Sequence, residues 1–170
     1  MNRLIQTLQT PRYLAIAVAL ASAVIVGAAL VSEYGFGLKP CILCLYQRVP
    51  YYINIALGLA AFVLSYRYPR LAILILSLTV LSFAADTAIA GFHVGVEHKW
   101  WPGLPECGGK IVPEHVSIDE LRNSMERQAI VRCDEPAFVL FGISMAGYNC
   151  LISLALVFGV TYFLRKKHAA

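Results

Sequence analysis

The sequence predicts an all-α membrane protein: a four-transmembrane-helix bundle with a short amphipathic helix in its second external loop. Three observations predict it. The 170-residue chain is 59% hydrophobic. Only 14% of it is charged, against roughly 25% in soluble domains. Its uncharged residues also gather into four long stretches. A soluble domain of this size could not hide so much apolar surface, so that class is excluded. The net charge of +4 is small, and no nucleic-acid partner is expected.

The whole chain, 1–170, reads as a single membrane domain. The first span, about 13–32, rests on Tyr13 to Ser32, 20 residues without a charge. About 20 residues of helix cross the hydrocarbon core. The stretch is longer than a signal-peptide core of about 7–15 residues, and no convincing small-residue cleavage site follows, so it reads as a retained helix. A short loop, about 33–40, leads to the second span, about 41–66, headed by "KPCILCLYQR". The third span, about 71–95, is uncharged from Leu71 to Ala85 and is then interrupted by Asp86. A long loop, about 96–136, precedes the fourth span, about 137–164, which sits in a 29-residue uncharged run from Pro136 to Leu164. Within that run Gly142 and Ala146 have the small-x-x-x-small spacing that lets helices approach closely.

Charge sets the orientation. The two ends and the loop between the second and third spans hold seven basic residues: Arg3, Arg12, Arg67, Arg70, Arg165, Lys166 and Lys167. All ten acidic residues lie elsewhere. Basic residues accumulate in cytoplasmic loops, so both termini are expected in the cytoplasm. Cys41, Cys44, Cys107 and Cys133 then share the outer side, where paired cysteines usually oxidise.

A long loop without structure would be unusual, and "SIDELRNSMERQAI" supplies some. Ser117 and Glu120 match a capping box. Ile118, Leu121, Met125 and Ala129 follow on one face of a helix. It reads as an amphipathic helix on the outer membrane surface, or else as a small helix packed on its own loop. Upstream, Trp100 and Trp101 suit the interface belt. The Pro and Gly residues of "HKWWPGLPECGG" make an open segment around Cys107.

Three uses of the four outer cysteines compete. A zinc site wants two close pairs or similar spacing. Here one pair is tight and the other is split by 25 residues, so no metal is expected. Structural disulfides are a second use, but C-x-x-C closes a very small ring and is a poor staple. A redox relay is the third, and the tight pair suits it because its sulfurs can exchange partners with little movement. Cys150, inside the fourth span, reads as a buried apolar cysteine.

Pro40 is well placed as the first residue of the second helix, which puts Cys41 and Cys44 in a first turn that favours a thiolate. Spacings of three and four place Cys41, Cys44 and Arg48 on one face. A charge inside the apolar boundary marks a functional site unless it snorkels to the headgroups. Arg48 is therefore expected to stabilise a Cys44 thiolate and to bond a polar group of a membrane ligand. Asp86, His93 and Glu97 form a second one-faced stripe. His93 is the better proton donor of this stripe, since its ordinary pKa lies nearest neutrality. Asp86 reads equally as a proton group or as a packing residue bonded to a neighbouring helix.

Taken together, these features resemble the bacterial disulfide bond formation protein B (DsbB) family of quinone-linked thiol oxidases. The resemblance rests on four spans with both ends inside, on "KPCILCLYQR" at the head of the second span, and on Cys107 and Cys133 in the second outer loop. "GFHVGVEHKWWPGLPEC" and "CDEPAFVLFGISMAGYN" add to it. It implies a bacterial inner-membrane enzyme with its redox cysteines on the periplasmic side. It further implies that Cys107 and Cys133 form a disulfide offered to a periplasmic thioredoxin-like protein, DsbA, through a transient mixed disulfide at Cys107. Cys133 would then attack the Cys41–Cys44 disulfide, and Cys44 would pass electrons to a quinone, ubiquinone or menaquinone. Arg48 matches the family's arginine beside the quinone, and His93 a histidine near it. Asp86 is added to that quinone-binding set from its place on the stripe alone. A membrane scaffold with structural disulfides, or a relay running in the reductive direction, are the alternatives. Fusions test the topology: a fluorescent protein joined after Ala170 should fold and fluoresce, and a periplasm-dependent phosphatase at the same point should stay inactive.

Overall fold

The computed structural model describes residues 11–107 and 131–168. The expected amphipathic helix, Ser117 to Ala129, lies outside them. Four long helices follow one another: α1 (Pro11–Tyr34), α2 (Ile42–Leu64), α3 (Pro69–Glu97) and α4 (Met145–His168). A 3₁₀ turn, Pro105–Cys107, and a small antiparallel hairpin, β1 (Val139–Leu140) and β2 (Ile143–Ser144), lie between α3 and α4. Among the described residues, α1, α3 and α4 are long and apolar enough to cross a membrane. α2 has 23 residues, but Gln47, Arg48, Pro50 and Asn54 dilute its apolar character.

Two sequence expectations are corrected here. Pro40 is not the first helical residue; α2 starts at Ile42, with Cys41 as its N-cap. The Cys41 sulfur accepts the Cys44 backbone N–H at 3.3 Å and so replaces a helical carbonyl at the helix end. The apolar run from Pro136 does not start the fourth helix either. Phe141 and Gly142 have φ of 49° and 79°, which close the β1–β2 turn, and helix begins only at Met145. Gly142 therefore serves a turn and not a helix contact, although Ala146 is buried.

Helix α1 packs on α2, α2 on α3 and α3 on α4, with a lesser contact between α1 and α3. Small residues make this close. Ala15, Ala61, Ala72 and Ala90 are fully buried. A side chain at Gly58 would meet the Ala15 carbonyl oxygen at 2.9 Å and the Ala19 Cβ at 3.0 Å. Larger residues fill the interior between these contacts: Leu76, Phe83, Val18 and Tyr51, whose ring meets Phe83 edge-on at 6.0 Å. Leu20, Val24, Val63, Leu74, Leu81 and Phe158 point outward, as lipid-facing residues do.

The end of α3 directs the following chain back over the bundle. Lys99 adopts φ of 59°. Its N–H reaches the Val96 carbonyl at 3.0 Å, and the Trp100 N–H reaches Gly95 at 2.9 Å, a Schellman stop. Trp101 then folds onto α3. It stacks on Phe92 at 5.8 Å and donates its indole N–H to the Phe92 carbonyl at 2.9 Å. Any side chain at Gly95 would collide with that ring.

Gly58→Leu is expected to destabilise the bundle by about 1–3 kcal/mol through overpacking of α1 on α2. Gly27→Leu, at a position where an added Cβ meets nothing within 4 Å, should leave the midpoint nearly unchanged. Thermal unfolding in detergent compares the two.

Candidate redox site

The C-terminal ends of α1 and α3 and the N-terminal ends of α2 and α4 meet at one end of the bundle. Cys41, Cys44, Cys107 and Cys133 are all there. Cys41 is buried at the N-cap of α2, and Cys44, one turn on, is half-buried. Both are free thiols with their sulfurs 2.9 Å apart. Cys107 and Cys133 are joined in a disulfide, with a Cα–Cα distance of 5.1 Å. Cys41, Cys107 and Cys133 pack with Leu43 and Val96 in a single buried cluster, so the two pairs are neighbours. Gly103 leaves room for this, since a side chain there would touch Cys107 and Val96. Beside Cys133, Arg132 grips Asp134 with two bonds of 2.9 and 2.7 Å. These bonds hold the Asp134 carboxyl below its ordinary pKa.

His93 lies on the other flank of Cys41. Its Nε2 is 3.6 Å from the Cys41 sulfur and 3.9 Å from a Glu97 carboxylate oxygen. Its Nδ1 is 2.8 Å from the Gln47 amide nitrogen. Gln47 in turn meets Asn149 at 2.9 Å, and Asn149 meets Asp86 at 3.0 Å. The Tyr51 hydroxyl donates to Asn149 Oδ1 at 2.6 Å. A polar chain thus runs from Cys41 through His93, Gln47 and Asn149 to Asp86, within the bundle. Glu97 extends it sideways by accepting the Ser144 hydroxyl of β2.

The structure gathers the predicted stripe as expected: Asp86 and His93 are buried, and Glu97 faces the same interior. Asp86 bonds a neighbouring helix, as its packing reading required. Cys44 and Arg48 lie one turn apart in α2, and Cys41 as the N-cap lies outside the helical repeat. Cys41 caps the helix and faces α3, whereas Arg48 turns to α1 and pairs with Glu33 at 2.5 Å. A four-cysteine metal site is not formed, because Cys107 and Cys133 bond each other. The donor atoms of Cys41, Cys44 and His93 lie within 4.8 Å of one another, close enough for an ion to bridge. The same closeness is what disulfide closure and proton transfer need.

Sequence reasoning missed Gln47, Asn149, Tyr51 and Glu33. Gln47 and Asn149 each left a trace. Both are amides inside otherwise apolar helices, where an unpartnered polar group is costly.

With this geometry in view, comparison with known proteins gives a family. The family model described as "Disulfide bond formation protein DsbB" matches residues 11–163. "Disulfide bond formation protein B" of Dechloromonas aromatica (strain RCB) is 32% identical over 143 residues, covering 78% of this chain and 79% of that protein. "Uncharacterized protein RP370" of Rickettsia prowazekii (strain Madrid E) is 31% identical over 150 residues, covering 86% of this chain and 85% of that protein. No solved structure matches. The apolar helices and these matches make the chain a multi-pass inner-membrane protein of disulfide bond formation, an oxidoreductase in the broad sense. The chain belongs to the DsbB family.

Proposed function

We propose that this chain is a membrane dithiol:quinone oxidoreductase that reoxidises a periplasmic thioredoxin-like protein, DsbA, and passes the electrons to a membrane quinone. The observation that carries the reading is the pairing itself. A disulfide and a C-x-x-C dithiol share a buried cluster at one end of a bundle of apolar helices. The basic residues at the opposite end support a cytoplasmic position for both termini and a periplasmic one for the cysteines.

The exchange proceeds by thiolate attack, each step moving one electron pair. A partner thiolate attacks Cys107, the Cys107–Cys133 bond breaks, and the pair leaves on Cys133. The partner's second thiolate attacks the mixed disulfide, releasing oxidised partner and leaving Cys107 as thiolate. Once the Cys41–Cys44 dithiol has given two electrons to the acceptor and closed as a disulfide, Cys133 attacks Cys41, the Cys41–Cys44 bond breaks, and the pair leaves on Cys44. Cys107 attacks Cys133, and the pair leaves on Cys41. Two electrons have then passed from the partner to the Cys41–Cys44 dithiol.

The residues present fit a quinone. A lipid-soluble acceptor with two ring oxygens wants a donor at the membrane boundary, and the Arg48 guanidinium has five N–H groups, one of them used by Glu33. A bound quinone supplies the acceptor chemistry, taking up two electrons and two protons. Cys44, more open than Cys41, faces that exchange, while Glu33 fixes the direction of Arg48. His93 holds a proton beside Cys41, and Asp86 ends the polar chain behind it.

Purified protein given reduced partner should reduce added ubiquinone or menaquinone, and Cys44→Ser should bring that to the background rate. Unchanged quinone reduction in Cys44→Ser would sink the mechanism. A partner lacking its second cysteine should be trapped on Cys107, and trapping on Cys133 instead would reverse the two assignments. Arg48→Ala is expected to cut quinone reduction about tenfold or more while partner trapping continues, a loss of roughly 1.4 kcal/mol or more in transition-state stabilisation.

A further inference from the structure

We propose that Asp86 and Asn149 are positioning residues: through Gln47 they hold the His93 proton on Nε2, against the Cys41 sulfur. Asn149 has one carbonyl oxygen and two N–H groups. The oxygen accepts the Tyr51 hydroxyl at 2.6 Å. The two N–H groups donate to Asp86 Oδ2 at 3.0 Å and to Gln47 Oε1 at 2.9 Å. With its oxygen so engaged, Gln47 turns its NH₂ to His93 Nδ1 at 2.8 Å. An NH₂ cannot accept, so Nδ1 is the bare nitrogen of the ring. A neutral imidazole then carries its proton on Nε2. Facing Nε2 are the Cys41 sulfur at 3.6 Å and Glu97 Oε1 at 3.9 Å, both acceptors.

The chain has one other self-consistent direction. If both amides turn over, Gln47 accepts from an Nδ1–H, and Nε2 presents a lone pair to Cys41 and Glu97. The residue at the far end decides between the two. A carboxylate at position 86 only accepts, which obliges Asn149 to donate. Asp86 is fully buried, and its Oδ2 takes the Asn149 N–H across the contact between α3 and α4. Tyr51 can donate or accept and follows whichever direction Asp86 imposes.

The consequence for the reaction rests on the function proposed above. When Cys107 attacks Cys133 and the electron pair leaves on Cys41, an Nε2–H meets the new thiolate. A reversed chain would meet it with a lone pair and slow its release.

Histidine labelled with ¹⁵N reads the ring directly. His93 is assigned by its loss in His93→Gln, with the protein in lipid nanodiscs. The wild type should show an unprotonated Nδ1 and a protonated Nε2. Asp86→Asn, whose amide can donate to Asn149, should move part of the population to Nδ1–H. It should also slow release of Cys41 roughly tenfold in disulfide exchange. Gln47→Glu places an acceptor beside Nδ1 and should drive the proton there, and it serves where Asp86→Asn fails to fold. A wild type protonated at Nδ1, or a ring pattern unchanged in both variants, would overturn the proposal. A wild type that reduces no quinone yet shows the expected ring would leave the positioning intact and defeat only the function.

Discussion

The side chain of Asn149 joins three helices at once. It takes a hydrogen bond from Tyr51 of α2, gives one to Gln47 of α2 and gives another to Asp86 of α3. In a bundle surrounded by lipid, a polar group without a partner costs several kcal/mol, with no water nearby to offset it. Each of these groups therefore constrains where the others stand. Gln47 fixes His93, His93 faces Cys41, and Cys41 begins α2. The redox end of the molecule is aligned by this requirement together with the close apolar packing of the helices.

The position of Cys41 shows how a local choice serves the site. As an N-cap it lies outside the helical repeat, so its sulfur points across to α3, and Cys44 keeps a helical direction. The pair is thereby split between a sealed side and a more open side. Under the proposed function this asymmetry matches two different exchanges, one with a protein sulfur and one with a small acceptor. Arg48, one turn past Cys44, pairs with Glu33 of α1.

Much of this was legible in the sequence. The four apolar stretches gave four helices, and the spacing of Asp86, His93 and Glu97 gave a single buried face. "KPCILCLYQR" marked the head of α2 to within about two residues. What could not be read was contact between helices. Gln47 and Asn149 are 102 residues apart, and nothing in either neighbourhood names the other. The start of α4 was misplaced because an uncharged run is equally compatible with a hairpin. Only the positive φ of Phe141 and Gly142 decides it. The helix start at Ile42 was missed for a related reason, since a cysteine is seldom considered as a cap.

The anchoring of the segments that carry Cys107 and Cys133 also governs what an opened bond between them can do. Trp101 is fastened to α3 six residues before Cys107, and β1 begins six residues after Cys133. Six residues of extended chain reach at most about 20 Å. Each freed thiol is therefore leashed to the bundle end and cannot explore the surrounding solvent. Its encounter with Cys41 is intramolecular, at the millimolar effective concentration typical of a short tether. Speed in the second exchange would then follow from confinement, with no need for an unusually reactive sulfur.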